Sequence, residues 1–506
     1  MLHSSSLPRW TRYVRPLSRG ITSTARKGAV AAPSRTKQAG ASIEDAFNFD
    51  QARPTLPQMY ADLKKEIASR HGAEKIVESW RSVLKELDGG MEEIATRGSD
   101  NVPQVDYQSF VNGLSKAEVD SIKRAGVVVV KGGIPKEEAL RWKQEVRDYA
   151  ALNKEYLKGS PADNIVFYEI YNSHAQLAAR SHPAVLNTQR TLLSLWHTRG
   201  AADAQVSVTT PISYFDRLRI RPPGPSAFVL GCHVDGGCLE RWEDEGYRKC
   251  FEAVFKGNDE WKDKDWLFDV GLRVDANMDL HGAPSQCSVL RPWQGWTSIS
   301  STGPNEGTLR VLPSLNNAAA YLILRPFFRL RSEAARRVGE SPESIPLGFN
   351  DWELNLDGTE FPGSETKAQV LTEWTHPHLR LQKSVVSVPK VEPGDQVYWH
   401  CDLVHAVESE HHGPGDSSVF YIPAVPMTVR NGGYLRAQRL TLEQGLPPPD
   451  FAGAEGEARF AGRPTLADVE KMSVEARRVF GVEPYETDKL QGGPKAAVEQ
   501  ANLIIF

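Results

Sequence analysis

The chain has 506 residues, 40% hydrophobic and 25% charged, with a formal net charge of −4; this is ordinary globular composition with ample length for a large core. No block of like charge is long enough for a nucleic-acid arm, and the longest apolar runs, Val127–Val130 and Tyr321–Leu324, fall far short of a membrane span. Five cysteines (Cys232, Cys238, Cys250, Cys287, Cys401) include no C-x-x-C pair, and the odd count reads as free thiols in a reducing compartment.

Residues 1–43 hold eight Arg or Lys and no Asp or Glu, with Ser and Thr between them. Arg-rich, Ser-rich and acid-free is the composition of a mitochondrial transit peptide, so a matrix location is expected; the alternative is a basic tail on a cytoplasmic protein. Removing those eight charges takes the formal net charge from −4 to −12, which argues against a nucleic-acid partner.

Residues 44–204 read as a mostly helical region. Ile76, Trp80, Leu84 and Leu87 recur at helical spacing, and Asp88-Gly89-Gly90 is expected to stop that helix. Ser115 and Glu118 fit a capping box, the Val127–Val130 run is a buried strand, and Pro135 opens a further helix. Another helix is expected in "SHPAVLNTQRTLLSLWH". From about residue 205 to 430 short β-rich runs alternate with Gly and Pro, which suggests a sandwich or barrel. Helical inserts are expected at about 239–280 and 316–345, the second with a kink or stop at Pro326; residues 431–506 read as a helix followed by a Pro-rich tail. The whole reads as one catalytic domain with helical additions, although length alone would allow roughly two to four.

The chemistry concentrates in two stretches. In "FVLGCHVDGGC", His233 and Asp235 stand two apart, so on a strand both point to one face. Gly236 and Gly237 then end the strand and leave space. In "EPGDQVYWHCDLVHAVE" a Pro393-Gly394-Asp395 turn leads to a strand carrying His400, with His405 beyond it. Two histidines and one carboxylate on one face of a metal leave positions open for O₂ and a bidentate co-substrate, the arrangement of non-haem Fe(II) oxygenases.

These stretches, with "EGTLRVLPSL" between them, resemble the core of Fe(II)/2-oxoglutarate dioxygenases of the phytanoyl-CoA hydroxylase and clavaminate-synthase-like branches. More specifically, "DRLRIRPPG", "GCHVDGGCLERWEDEGYRKCFEAVFKG", "RPWQGWTSISSTGPNEGTLRVLP" and "YIPAVPMTVRNGGYLRAQR" resemble the YbiU-like proteins of that superfamily. The resemblance implies a mainly β fold with helical additions: a double-stranded β-helix (jelly-roll) core flanked by N-terminal helices and helical inserts. It implies Fe(II) held by His233, Asp235 and His405, with 2-oxoglutarate and O₂ as co-substrates and a small-molecule metabolite as substrate. His400 then becomes a neighbour in the pocket. In relatives an arginine about a dozen residues past the distal histidine grips the far carboxylate of 2-oxoglutarate; here Ser417 and Ser418 stand in that region. A guanidinium fork suits a carboxylate, so Arg291 is the first choice, with Arg219, Arg217 and then Arg310 behind it, and a serine near 417 assisting. Trp293, Trp296 and Trp399 are expected as core and pocket walls, and "DRLRIR" hints at an acidic metabolite. "ERWEDEGY" is placed to form a lid or a solvated helix; His411 and His412 read as a solvated turn, and Cys232 and Cys238 as buried thiols. Two rival readings stay open: a zinc site with hydrolase-like chemistry, and a non-catalytic interaction protein.

Overall fold

The computed structural model describes residues 55–225, 230–282, 286–365 and 368–506; the transit-peptide expectation lies outside the described residues. Helices Met59–His71 and Ala73–Arg97 open the described chain. The second does not stop at Asp88-Gly89-Gly90. Its buried stripe of Ile76, Trp80, Val83, Leu84 and Leu87 continues through Met91 and Ile94, while Gly89 and Gly90 lie off that stripe. Packing of the stripe outweighs the ~1 kcal/mol that each helical glycine costs. Trp80 stacks on Phe328 at 4.4 Å and on Tyr321 at 5.4 Å between ring centroids, which ties this helix to the insert helix Leu315–Leu324. That insert helix ends just before Pro326, as expected.

The Ser115–Glu118 capping box starts helix Lys116–Ala125, and Gly126 ends it in the left-handed conformation (φ +71°). A Cβ at Gly126 would lie 2.9 Å from Leu315 Cβ and 3.0 Å from Leu403 Cδ1. The Gly126 carbonyl accepts from His400 N at 2.8 Å, so this helix stop touches the histidine-rich segment directly.

Two sheets frame the centre. The larger uses Gln104–Asp106 (β1), Val127–Lys131 (β2), Gly159–Ser160 (β3), Phe167–Tyr168 (β4), Leu218–Arg221 (β5), Trp293–Ser298 (β7), Gln396–His400 (β11) and Ser417–Tyr421 (β13). The smaller uses His233–Val234 (β6), Leu309–Val311 (β8), Gln369–Val370 (β9), Val386–Ser387 (β10) and His405–Val407 (β12). Their orders are β1-β2-β11-β7-β13-β5-β4-β3 and β9-β6-β12-β8-β10. The register sets Val419 opposite Arg219, Tyr421 opposite Trp296, Trp296 opposite Val397, and His405 opposite both His233 and Val311.

Helix predominates over strand, so the mainly β expectation is corrected to a mixed helix and sheet architecture without a closed barrel. Gly and Pro break the β-rich stretches into strands mostly two to five residues long, and the intervening chain takes up short helices instead. Three further corrections concern the inserts and tail. "ERWEDEGY" is not solvated throughout: Glu240, Arg241, Trp242 and Tyr247 are buried, while Glu245 is exposed. His411 is buried in a short strand pair, while His412 is exposed. The C-terminal tail carries helices Leu466–Glu470, Val474–Val479 and Gly492–Ile505. The last packs on helix Val429–Gln444, where Gly432 leaves room for Ala501.

Candidate metal centre

β6 and β12 lie side by side, and that pairing puts His233 directly opposite His405. Their rings stand 4.1 Å apart. Asp235, just past the end of β6, turns one carboxylate oxygen to each: Oδ1 lies 3.3 Å from His233 Nε2, and Oδ2 lies 3.2 Å from His405 Nε2. Donor atoms of the three side chains all fall within 4.8 Å of one another. The outer nitrogens are committed to the backbone. His233 Nδ1 faces the Gly231 carbonyl at 2.7 Å and His405 Nδ1 faces that of Leu403 at 2.9 Å. An Nδ1–H donating to a carbonyl fixes the tautomer and leaves the Nε2 lone pair pointing inward, as metal ligation requires.

The protonation states agree with that role. Burial alone would raise the Asp235 carboxyl, but the two histidines outweigh it and hold it well below the usual carboxylate range. Burial first, and then His233, push the His405 imidazole down from its ordinary value, so it is neutral at pH 7. Two imidazole nitrogens and one carboxylate are a donor set suited to Fe(II), Co(II), Ni(II) or Zn(II).

A second cluster, His400, Cys401 and Asp402, does not fit a metal. Asp402 accepts from Arg241 Nη1 and Arg273 Nη2, each at 2.5 Å. His400 Nε2 faces the Leu267 carbonyl at 3.1 Å, and its Nδ1 accepts from Asp402 N at 3.0 Å. Burial pushes the Cys401 thiol up to about 12, so it stays protonated. His400 is therefore a packed core residue, stacked on Trp196 at 4.8 Å, and does not line the cavity. The cluster instead braces the centre. Arg241 also donates through Nε to Gln369 of β9 at 2.8 Å and through Nη1 to Tyr247 Oη at 2.9 Å, and Tyr247 donates to the Gly236 carbonyl. The segments carrying all three candidate ligands are thus linked through one buried carboxylate.

A cavity of about 150 Å³ opens beside the cluster and is lined by His233, Asp235 and His405 together with Arg217, Arg219, Arg291, Trp296 and Trp399. Strand alternation explains the grouping: Arg217 and Arg219, Gln294 and Trp296, and Val419 and Tyr421 are i, i+2 pairs on the face turned towards the smaller sheet. Arg219 is buried; its Nη2 donates to Ser417 Oγ at 3.0 Å and to the Gly307 carbonyl at 3.1 Å, and its Nε has no hydrogen-bond partner among the described residues. Ser418 faces away, donating to Asp416 Oδ1 at 2.5 Å. Arg310 also lies outside the cavity, its guanidinium on the Val385 carbonyl. Trp293 is core, its indole donating to the Leu192 carbonyl at 2.9 Å. Cys232 and Cys238 are thiols without a disulfide, and burial raises the Cys232 thiol to about 11.

Several lining residues were not foreseen: Tyr214, Asp216, Gln294, Tyr421, Asp450 and Phe451. Gln294 and Tyr421 follow from alternation with Trp296 and Val419. Tyr214 and Asp216 adjoin the "RLRIR" stretch. Nothing local marks Asp450 and Phe451, which come back to the cavity from the Pro-rich segment beyond helix Val429–Gln444.

The Gig2-like family model matches residues 54–482. The chain is 34% identical over 397 residues to the protein YbiU of Escherichia coli (strain K12), covering 75% of this chain and 85% of that one. Among solved structures it is similar to GlcNAc Inducible Gene 2 (GIG2) of Candida albicans, with TM-score 0.78, 28% identity, and coverage of 90% of this chain and 96% of that one. It is also similar to protein JW0805 of Escherichia coli, with TM-score 0.68, 29% identity, and coverage of 84% and 98%.

Proposed function

The chain belongs to the Gig2-like family, and from that premise we propose that it is an Fe(II)- and 2-oxoglutarate-dependent oxygenase acting on a small molecule, built on a jelly-roll-like pair of sheets. The observation that carries this reading is the convergence of His233, Asp235 and His405 on the wall of a cavity that also holds buried, incompletely partnered arginine.

His233 Nε2, Asp235 and His405 Nε2 would hold the ion. Bound Fe(II) with 2-oxoglutarate and O₂ would supply the oxidising power for hydroxylation of a C–H bond. The protein's part is to bind, orient and exclude water. Arg219 takes the role first given to Arg291: it sits across from β13, where relatives place their anchor, and Ser417 Oγ fixes its fork. A guanidinium backed by a hydroxyl suits the far carboxylate of 2-oxoglutarate. Trp296 and Trp399 line the same cavity and give it apolar walls.

The test is metal-free protein titrated anaerobically with Fe(II) and then 2-oxoglutarate. The metal–ligand charge-transfer band and succinate formation on admitting air are followed for the wild type, His233→Ala and Asp235→Ala. One ion per chain and succinate in the wild type, with both lost in the variants, is the expected result. Tight zinc uptake without any 2-oxoglutarate-dependent band would defeat the oxygenase reading.

A further inference from the structure

Part of the cavity wall is not used by metal or 2-oxoglutarate in the reading above. There Arg217 and Arg291 flank one carboxylate, Asp216. Arg217 Nε lies 3.5 Å from Asp216 Oδ1, and Arg291 Nη1 lies 4.0 Å from Oδ2. Both separations exceed a hydrogen bond, so two guanidinia share one counter-charge and neither is satisfied by it. Among the described residues, the buried Arg217 Nε has no hydrogen-bond partner. Arg291 reaches one acceptor, Gln294 Oε1, at a long 3.4 Å. The guanidinium of Arg217 lies over the Phe451 ring at 4.9 Å and that of Arg291 over Tyr214 at 5.4 Å, so aromatic faces hold both in place. Two more buried donors on the same cavity wall, Gln294 Nε2 and Trp399 Nε1, also have no hydrogen-bond partner among the described residues. A wall of unfilled N–H groups calls for a ligand that presents oxygen acceptors.

We infer that the primary substrate is a small organic acid whose carboxylate is held by Arg217 and Arg291 while the remainder lies along Tyr214, Phe451 and Trp296 towards the His233–Asp235–His405 cluster. The inference rests on the oxygenase reading for its reaction, but not for its binding chemistry. A single negative charge fits better than a phosphate dianion. Asp216 already offsets one of the two guanidinia, Asp450 lines the same cavity, and Glu169 acts electrostatically on Arg217. A second negative charge on the ligand would meet these three carboxylates. The preference for a bound fork over a point charge follows from the planar geometry of guanidinium against carboxylate.

The probes are hexanoate and phenylacetate, their amides, and phenyl phosphate. Binding is measured calorimetrically to metal-free protein and to protein loaded with Ni(II) and 2-oxoglutarate. Either carboxylate is expected to bind at least tenfold more tightly than its amide and more tightly than phenyl phosphate. Arg291→Gln and Arg217→Gln are each expected to weaken carboxylate binding at least tenfold while leaving 2-oxoglutarate binding intact; Arg219→Gln is expected to do the reverse. Arg291→Lys, which keeps the charge and loses the fork, falls between, and the melting temperature of each variant shows whether it is folded. Equal binding of acid and amide by the wild type overturns the inference, as does loss of 2-oxoglutarate binding in Arg291→Gln but not in Arg219→Gln. If the wild type takes up no metal, the oxygenase reading fails, and the carboxylate preference is judged from the metal-free titrations.

Discussion

Replacing Asp402 by asparagine removes the one negative charge shared by two buried guanidinia. Arg241 and Arg273 each reach it at 2.5 Å, and their side chains are 2% and 0% exposed. Asparagine keeps the shape and one acceptor, so the loss is mainly of charge. Removing one member of a buried ionic group costs about 3–5 kcal/mol. An unfolding entropy of ~2.1 cal/mol/K per residue over roughly 450 residues makes each kcal/mol worth about 1 °C, so the melting temperature should fall by ~3–5 °C at pH 7. The pH dependence has a definite sign. Burial would raise the Asp402 carboxyl, but Arg273 and then Arg241 outweigh it and hold it far below the usual range. A depressed carboxylate contributes stability that is fully present above its unfolded value of about 3.9 and is lost as pH falls through the folded value. The gap between wild type and Asp402→Asn should therefore be constant near neutrality and narrow in strong acid. Because the same carboxylate braces the segments carrying His233, Asp235 and His405, metal affinity should also drop by about 10–100-fold. Differential scanning calorimetry from pH 7 to pH 3 and Co(II) titration read both effects. A variant as stable as wild type at pH 7, or a gap that widens in acid, would refute the reasoning.

Four other outcomes are expected. Burial, followed by the charge of Arg325, pushes His378 down to about 3, so the unfolded chain binds the extra proton and stability falls as pH drops from about 6.5; His378→Gln should flatten that limb in pH-dependent urea melts, and an unchanged slope would contradict it. Trp80→Ala removes an indole packed among Phe328, Tyr321 and Trp352 and should cost about 3–5 kcal/mol, with protease cleavage rising first in residues 59–97; cleavage spread evenly would speak against local loosening. Arg219→Ser should lose 2-oxoglutarate binding, and the added change Ser417→Arg should restore part of it; no restoration would separate the anchor from this strand pair. Residues 1–43 fused to a fluorescent reporter should direct it into mitochondria, and a cytosolic reporter would remove the matrix assignment.

The His233–Asp235 pair was legible because its geometry is local, whereas the choice of His405 over His400 came only from the family resemblance. His233 and Asp235 need only a strand and its end, and the turn before His400 is written in Pro393-Gly394-Asp395, where a Cβ on Gly394 would lie 2.2 Å from the Ile134 carbonyl. The helix start set by the Ser115–Glu118 capping box was equally legible. What failed had a tertiary cause. Gly89 and Gly90 look like a stop, but the stripe through Met91 and Ile94 has a partner to pack against. The acidic stretch after β6 looks solvated, but Arg241 is drawn inside by Asp402 across 161 residues of sequence. His411 looks like part of a solvated turn, yet it pairs with Gly224 in a short strand that composition does not announce.

The position of the arginine shows why spacing along the chain is a poor guide to this kind of site. Counting residues from His405 leads to β13, and there the side chain is Ser417. The neighbouring strand, β5, lies about 4.8 Å away across the ladder. From Arg219, opposite Val419, a guanidinium crosses that gap and meets Ser417 Oγ. A charge required at one point of a sheet face can be delivered from either of two adjacent strands, because both present side chains to the same cavity with a period of two. The candidate metal ligands have less freedom: His233 and His405 must face each other in register, with Asp235 two residues on, before their donor atoms can meet. The register of β6 against β12 therefore constrains the candidate metal cluster tightly, while the proposed anchor depends only on which face of the larger sheet the arginine occupies.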